Sequence, residues 1–267
     1  MSFIKKSIFI FLFATHSGFA QNSFKLVTSI DTKADFITTD IQSNIYVVKG
    51  NELSKYNKTG KLLYKYSNKN LGNIDFVDVS NMLKPLLFYK NFLQIIYLDN
   101  TLSTNGDPVA LDQIGYNQAQ LACTSYNSSI WLYDQQNLEL VRLDQNLNKI
   151  TGTGNLSILL NMQLQPNYLL EYDNKVFLNN PSSGILIFDI YGTFYRTISI
   201  PNIQHFQPIG EWVYFMTIDN KIEAYHIKTS EIKQFTIPSE NFINFRLETD
   251  ILFLQNKDSI MLYNEAP

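Results

Sequence analysis

The chain carries one cysteine, Cys123, in 267 residues, so no intramolecular disulfide can form. Its surroundings, Ala119-Gln-Leu-Ala-Cys-Thr-Ser-Tyr126, read as an inner strand. A small buried side chain is therefore expected there rather than a reactive thiol. Charge is also sparse. The formal net charge is −3 with no cluster of Lys or Arg, which speaks against nucleic-acid binding. Beyond the first twenty positions no apolar run approaches the roughly 20 residues that a membrane-spanning helix needs. There is no G-x-S-x-G serine, no glycine-rich phosphate loop and no H-x-x-x-H pair, so the common hydrolase, nucleotide and zinc signatures are missing. Ala and Gly are scarce, while Asn, Ile, Lys, Tyr and Phe are plentiful.

What is present begins with MSFIKKSIFIFLFATHSGFAQ. Lys5 and Lys6 make a short basic stretch, Ile8 to Ala14 an apolar one, and Gly18-Phe19-Ala20 places small residues where a signal peptidase reads them. Residues 1–20 are expected to be a secretory signal peptide cleaved after Ala20, and residues 21–267 a single domain. Loss of Lys5 and Lys6 takes the formal charge to −5. The composition, with a leader ending Phe-Ala-Gln, suggests a Gram-negative bacterium of low-GC genome.

The remainder is a repeat. In Lys175–Pro201 three short β-branched and aromatic runs are separated by Pro181-Ser-Ser-Gly184 and Asp189-Ile-Tyr-Gly192, a double hairpin signal. The second strands of such units begin near Ile45, Leu86, Ile130, Val176, Val213 and Leu252, between 37 and 46 residues apart. Six β units at this period predict a β-propeller. The sixth unit lacks a fourth strand, and Phe24–Ile30 resembles the outer strands of the others, so it is expected to complete the last blade and close the ring. In the second unit the outer strand is expected over Pro108–Ile114. Tyr56-Asn-Lys-Thr-Gly-Lys-Leu-Leu-Tyr64 and Phe188-Asp-Ile-Tyr-Gly-Thr-Phe-Tyr-Arg196 share an aromatic, Asn/Asp, two free positions, Gly and two large residues. Arg142–Lys149 is a degenerate copy with Asn in place of Gly. This hairpin resembles that of six-bladed propellers of the NHL and related bacterial types. The resemblance implies the fold class, all-β and six-bladed, and no particular activity.

One column of the repeat could carry chemistry. At the start of each innermost strand a polar residue precedes a large apolar one, at Asp35, Asp75, Gln120, Asn167, His205 and Asn244. Strand side chains alternate faces, so the aromatics are expected to pack between blades and the polar residues to ring the axis. Six-bladed lactonases hold a divalent cation at such a mouth. By that resemblance Asp35, Asp75, Asn167 and Asn244 would bind metal and His205 would move a proton. A plain water-lined polar rim with no cofactor is the other expectation, because no Glu stands in this column. His226 is expected on a third strand away from the axis, and Trp131 and Trp212 in blade cores. Asn100–Asp107 and Gly152–Asn155 are expected to project from one face as partner-binding loops. The leading expectation is an exported, non-catalytic scaffold or accessory subunit that binds an envelope protein partner. The alternatives are a lactonase-like hydrolase and a small-ligand or glycan binder.

Overall fold

The computed structural model describes residues 24–239 and 241–265. The expected leader, residues 1–20, lies outside the described residues. The strands follow the chain as β1 (Phe24–Ile30), β2 (Phe36–Thr39), β3 (Ile45–Lys49), β4 (Glu52–Tyr56), β5 (Leu62–Ser67), β6 (Phe76–Asp78), β7 (Leu86–Tyr89) and β8 (Gln94–Tyr97). They continue as β9 (Val109–Ala110), β10 (Ala119–Ser125), β11 (Ser129–Asp134), β12 (Glu139–Leu143), β13 (Lys149–Gly152), β14 (Tyr168–Tyr172), β15 (Lys175–Asn180) and β16 (Gly184–Asp189). The last eight are β17 (Phe194–Ile198), β18 (Phe206–Ile209), β19 (Trp212–Met216), β20 (Ile222–His226), β21 (Ile232–Phe235), β22 (Asn244–Glu248), β23 (Ile251–Gln255) and β24 (Ile260–Glu265). The α-helix among the described residues, α1, spans Leu156–Leu160.

Five antiparallel sheets take four consecutive strands each, from β2–β5 to β18–β21, and the sixth runs β22, β23, β24, β1. The sixth sheet is the expected closure, with Phe24 opposite Glu265 and Ile30 opposite Ile260. It ties the two ends of the ring together and covers the outer edge of β24. The molecule is a closed ring of six blades.

The core sits between blades rather than within them, and period-2 alternation builds it. On β3, Tyr46 and Val48 face blade 2, while Ile45 and Val47 face blade 6. On β7, Leu87 and Tyr89 face blade 1, and Leu86 and Phe88 face blade 3. Most second strands are buried on both faces and read as continuous apolar runs, while on β19 Trp212, Tyr214 and Met216 are half-buried. Trp131 is fully buried between blades 3 and 4 with Cys123. Burial raises the Cys123 thiol pKa and keeps it protonated and unreactive. A fully buried side chain of this size contributes about 1.5–3 kcal/mol.

A side-chain device holds five of the tight turns. Asn57, Asp144 and Asp189 each accept backbone N–H groups two and four residues on, at 2.8–3.0 Å. Asp40 and Asp99 do the same. These bonds lower the Asp144 carboxyl pKa, the Asn148 N–H contributing most. The fourth residue of each turn takes positive φ, which Gly60 and Gly192 supply without strain. In the third blade that position is Leu147, φ 66°, and not the expected Asn. The aspartate fixes this turn strongly enough to hold a leucine there.

Other expectations need correction. The outer strand of blade 2 is only Val109–Ala110, and the rest of Pro108–Ile114 turns into a 3-10 segment capped by Gly115 at φ 94°. Trp212 is half-buried at the start of β19, edge-on to His226 and beneath Lys233. His226 lies on β20 beside Glu211 at 3.3 Å, away from the axis as expected. The two loops leave opposite faces. Asn100–Asp107 joins the third and fourth strands of its blade, and Lys55 Nζ ties it back by donating to the Asn100 carbonyl at 3.1 Å. Gly152–Asn155 joins one blade to the next and leads into α1, where Asn155 accepts from the Ile158 N–H.

Candidate functional site

The six innermost strands leave an axial channel with two mouths. One opens where chain passes between blades, the other where the first and second strands of each blade join. The mouth on the blade-linking side is the narrower, a cavity of about 240 Å³. Five of the six expected ring residues line it, namely Asp35, Asp75, Asn167, His205 and Asn244. Gln120 does not, because it sits in the β-bulge between Ala119 and Leu121, where the ladder slips by one residue.

The ring is occupied with local bonding. Asp35 accepts the Gly50 N–H at 2.7 Å, and Asp75 accepts the Lys90 N–H at 2.8 Å. Each carboxylate thus caps the turn after the second strand of its own blade. Asn167 accepts from Asn179 Nδ2 at 2.6 Å and reaches Gln204 at 3.3 Å. Asn244 is buried against Gln255. Burial, then the nearby Arg246 charge, lowers the His205 pKa and keeps the imidazole neutral. Among the described residues no three His, Cys, Asp or Glu side chains gather as a cation would require.

The expected division of labour along the column also changes. Asp35, Asp75, Asn167 and His205 each fall one residue before their strand begins, so the pleat does not yet govern where they point. The aromatics that follow are not confined between blades. Tyr168 packs edge-on against Phe76 at 5.3 Å and against Phe206 at 5.2 Å. Phe76 belongs to blade 2 and Tyr168 to blade 4, so their contact crosses the channel past blade 3.

The second mouth opens into a cavity of about 650 Å³, within the size of small-molecule sites. Tyr168, Leu170, Tyr172, Pro208, Tyr214 and Phe235 are among its walls. Thr38, Phe76, Val77, Tyr168 and Arg246 line both cavities and form the waist between them. Arg246 and Glu248 stand two apart on β22 and so share its axial face. Arg246 donates through Nη2 to Thr38 Oγ1, and its Nε is buried without a partner. Glu248 accepts from Thr39 Oγ1 and from Gln207 Nε2 at 3.3 Å. Burial nonetheless raises its carboxyl pKa.

Two further acids of this mouth bind blade to blade. Asp78 accepts the Thr124 N–H at 2.8 Å and hydroxyl at 2.6 Å. Glu171 accepts from Ser125 Oγ, from the Tyr126 N–H at 3.2 Å and from Trp131 Nε1 at 2.8 Å. Sequence reasoning missed Asp78, Glu171, Arg246 and Glu248. Counting on in twos from Asn244 would have reached the last two.

No known protein-family signature matches the chain, and no curated protein is similar to it in sequence. Solved structures are similar in fold. Virginiamycin B lyase from Staphylococcus aureus is 15% identical over 91% of this chain and 100% of that one, with a TM-score of 0.63. BamB from Moraxella catarrhalis is 10% identical over 91% of this chain and 100% of that one, with a TM-score of 0.57. The Pan2 WD40 domain of Neurospora crassa is 8% identical over 93% of this chain and 97% of that one, with a TM-score of 0.63. At these identities the likeness concerns the backbone alone, and together with the six closed sheets it makes this chain a six-bladed β-propeller.

Proposed function

We propose that the chain is an exported, non-catalytic propeller that holds a protein partner of the cell envelope against its blade-linking face. The observation that carries this reading is α1. This α-helix interrupts the link between blades 3 and 4, whereas the links between blades 1 and 2 and between blades 2 and 3 carry only three-residue 3-10 segments. Of its five residues, Leu156 is buried, while Ile158 and Leu159 stand 81% and 57% exposed. Adjacent aliphatic side chains held in water on a capped, ordered turn are the composition of an interface centre rather than of a solvated surface. Phe92, Ile218 and Ile243 are exposed on connections of the same face. Residues 1–20 supply the export, and no helix among the described residues is long and apolar enough to cross a membrane.

The test is affinity capture of the tagged mature protein from its own envelope after mild crosslinking, beside an Ile158→Asp, Leu159→Ser double variant. The expected result is one stoichiometric partner that the variant loses while its Tm stays within about 2 °C of the wild type, since exposed sites away from special features change stability little. Capture of nothing, or of the same partner by both proteins, would overturn the reading.

A further inference from the structure

The waist of the channel holds a cation, Arg246, whose hydrogen-bond donors are mostly unused. A guanidinium carries five N–H donors, and Arg246 uses one, on Thr38 Oγ1. Its Nε is shut away from solvent with no acceptor, and Arg246 makes no ion pair among the described residues. Of the five carboxylates that line the wider mouth, four are hydrogen-bonded elsewhere and the fifth, Glu265, lies near Tyr214. Glu248 is held by Thr39 and Gln207, Asp78 by Thr124, and Glu171 by Ser125, Tyr126 and Trp131. Asp40 is turned into its own loop by Asn44 and Tyr46. Polar donors left unpaired away from water are costly. An anion in the channel would give Arg246 the acceptors it lacks.

We propose that the axial channel binds a small monoanionic carboxylate with an apolar body, its carboxylate on Arg246 and its body in the wider mouth. The planar guanidinium fork suits a carboxylate better than a point charge would. The body faces the larger cavity, where Tyr168, Leu170, Tyr172, Pro208 and Tyr214 offer flat and aliphatic walls. The narrower side also has apolar walls, Phe36, Ile37, Phe206 and Phe245 among them, but at about 240 Å³ against about 650 Å³ it leaves less room, and hydrogen-bonded Asp35, Asp75 and Asn167 stand in it. Asp78, Glu171 and Glu248 also set the valency, because their charge opposes a di- or trianion while a single carboxylate is matched by Arg246. The ligand site lies on the opposite mouth from α1, so it stands or falls independently of the partner reading.

The experiment is calorimetric titration of the mature protein at low salt with 3-phenylpropionate and octanoate, and with 3-phenylpropylamine and citrate as charge controls. Both monocarboxylates are expected to bind and both controls to fail. Arg246→Gln is expected to weaken binding at least tenfold, and Tyr214→Ala to weaken 3-phenylpropionate severalfold. The His205 ring, followed by NMR, is expected to titrate at higher pH with 3-phenylpropionate bound, because the bound anion offsets the Arg246 charge. That measurement needs no variant to fold. Ile158→Asp is expected to leave all of these unchanged. Binding of neither monocarboxylate, equal binding of the amine, undiminished binding by a folded Arg246→Gln protein, or an unmoved His205 titration would each overturn the proposal.

Discussion

Glu248 is the residue at which two demands on the inner ring collide. It joins blade 6 to blade 1 through Thr39 and to blade 5 through Gln207, yet burial raises its carboxyl pKa despite those bonds and the nearby Arg246. A carboxyl whose folded pKa lies above the unfolded value adds stability below the unfolded pKa. That stability is lost as pH rises through the folded pKa. At neutral pH the ionised group is therefore a burden on the fold. Glu248→Gln keeps an acceptor for Thr39 and removes the buried charge. The variant is expected to melt above the wild type at pH 7, with the gap closing as pH falls toward about 4, the ordinary range of a glutamate. Thermal melts of both proteins across this range check it, and a gap independent of pH would remove burial of the charge as its cause.

At the scale of the element, most second strands were legible because both of their faces are buried, which leaves an uninterrupted apolar run with turns on either side. Ile45, Leu86, Val176 and Val213 all fall at or within a residue of where those strands begin. The turns were legible only in part. Gly60 and Gly192 drew attention to positive φ, but the recurring determinant is the Asp or Asn three residues earlier. Reading for it would have brought in Asp99, whose turn gives positive φ to Leu102. The five residues of α1 are too short for a helical period to register, and Asn155, its cap, was the available signal. Five of the six residues of the polar column line the narrower mouth, and Gln120 is left out by a β-bulge that no count in twos reveals. Gly184 is the glycine that no other residue can replace. At φ 108° a Cβ there would stand 2.0 Å from the Ile198 carbonyl oxygen, the backbone of β17. Gly184→Ala forces β16 and β17 apart where Ile185 pairs with Ile198. A loss of more than about 2 kcal/mol is expected in urea unfolding, from backbone strain and a broken ladder together. Gly106→Ala, also at positive φ but with open space around it, is expected to cost less.

At the scale of the whole molecule, six interblade clusters make a ring in which every blade has two neighbours. Such a ring is only as closed as its last joint, and here the joint is β1. Its pairing with β24 brings Ile30 into the cluster shared by blades 6 and 1, beside Ile37, Val47, Phe253 and Ile260. One feature shows that β1 also braces the neighbouring blade. Gly60, in the turn between β4 and β5, leaves its Cβ position 3.1 Å from Thr28 and 3.4 Å from Ile30. Ile260 and Leu262 on β24 are fully buried with β1 in place. Removal of residues 24–30 therefore uncovers the edge of β24 and strips the closing joint of its apolar wall. Burial of Ile30 alone is worth about 1.5–3 kcal/mol, and at about 2–4 °C of Tm per kcal/mol in a domain of this size the truncated protein is expected to melt at least about 5 °C lower. The exposed strand edge is expected to pair between molecules, visible as added mass in light scattering. A synthetic peptide of residues 24–30 supplied in trans should restore the Tm, because the missing part is a strand with a ready-made partner. An unchanged Tm on truncation would mean that the blades hold one another without the closing strand, and that the ring does not depend on its joint.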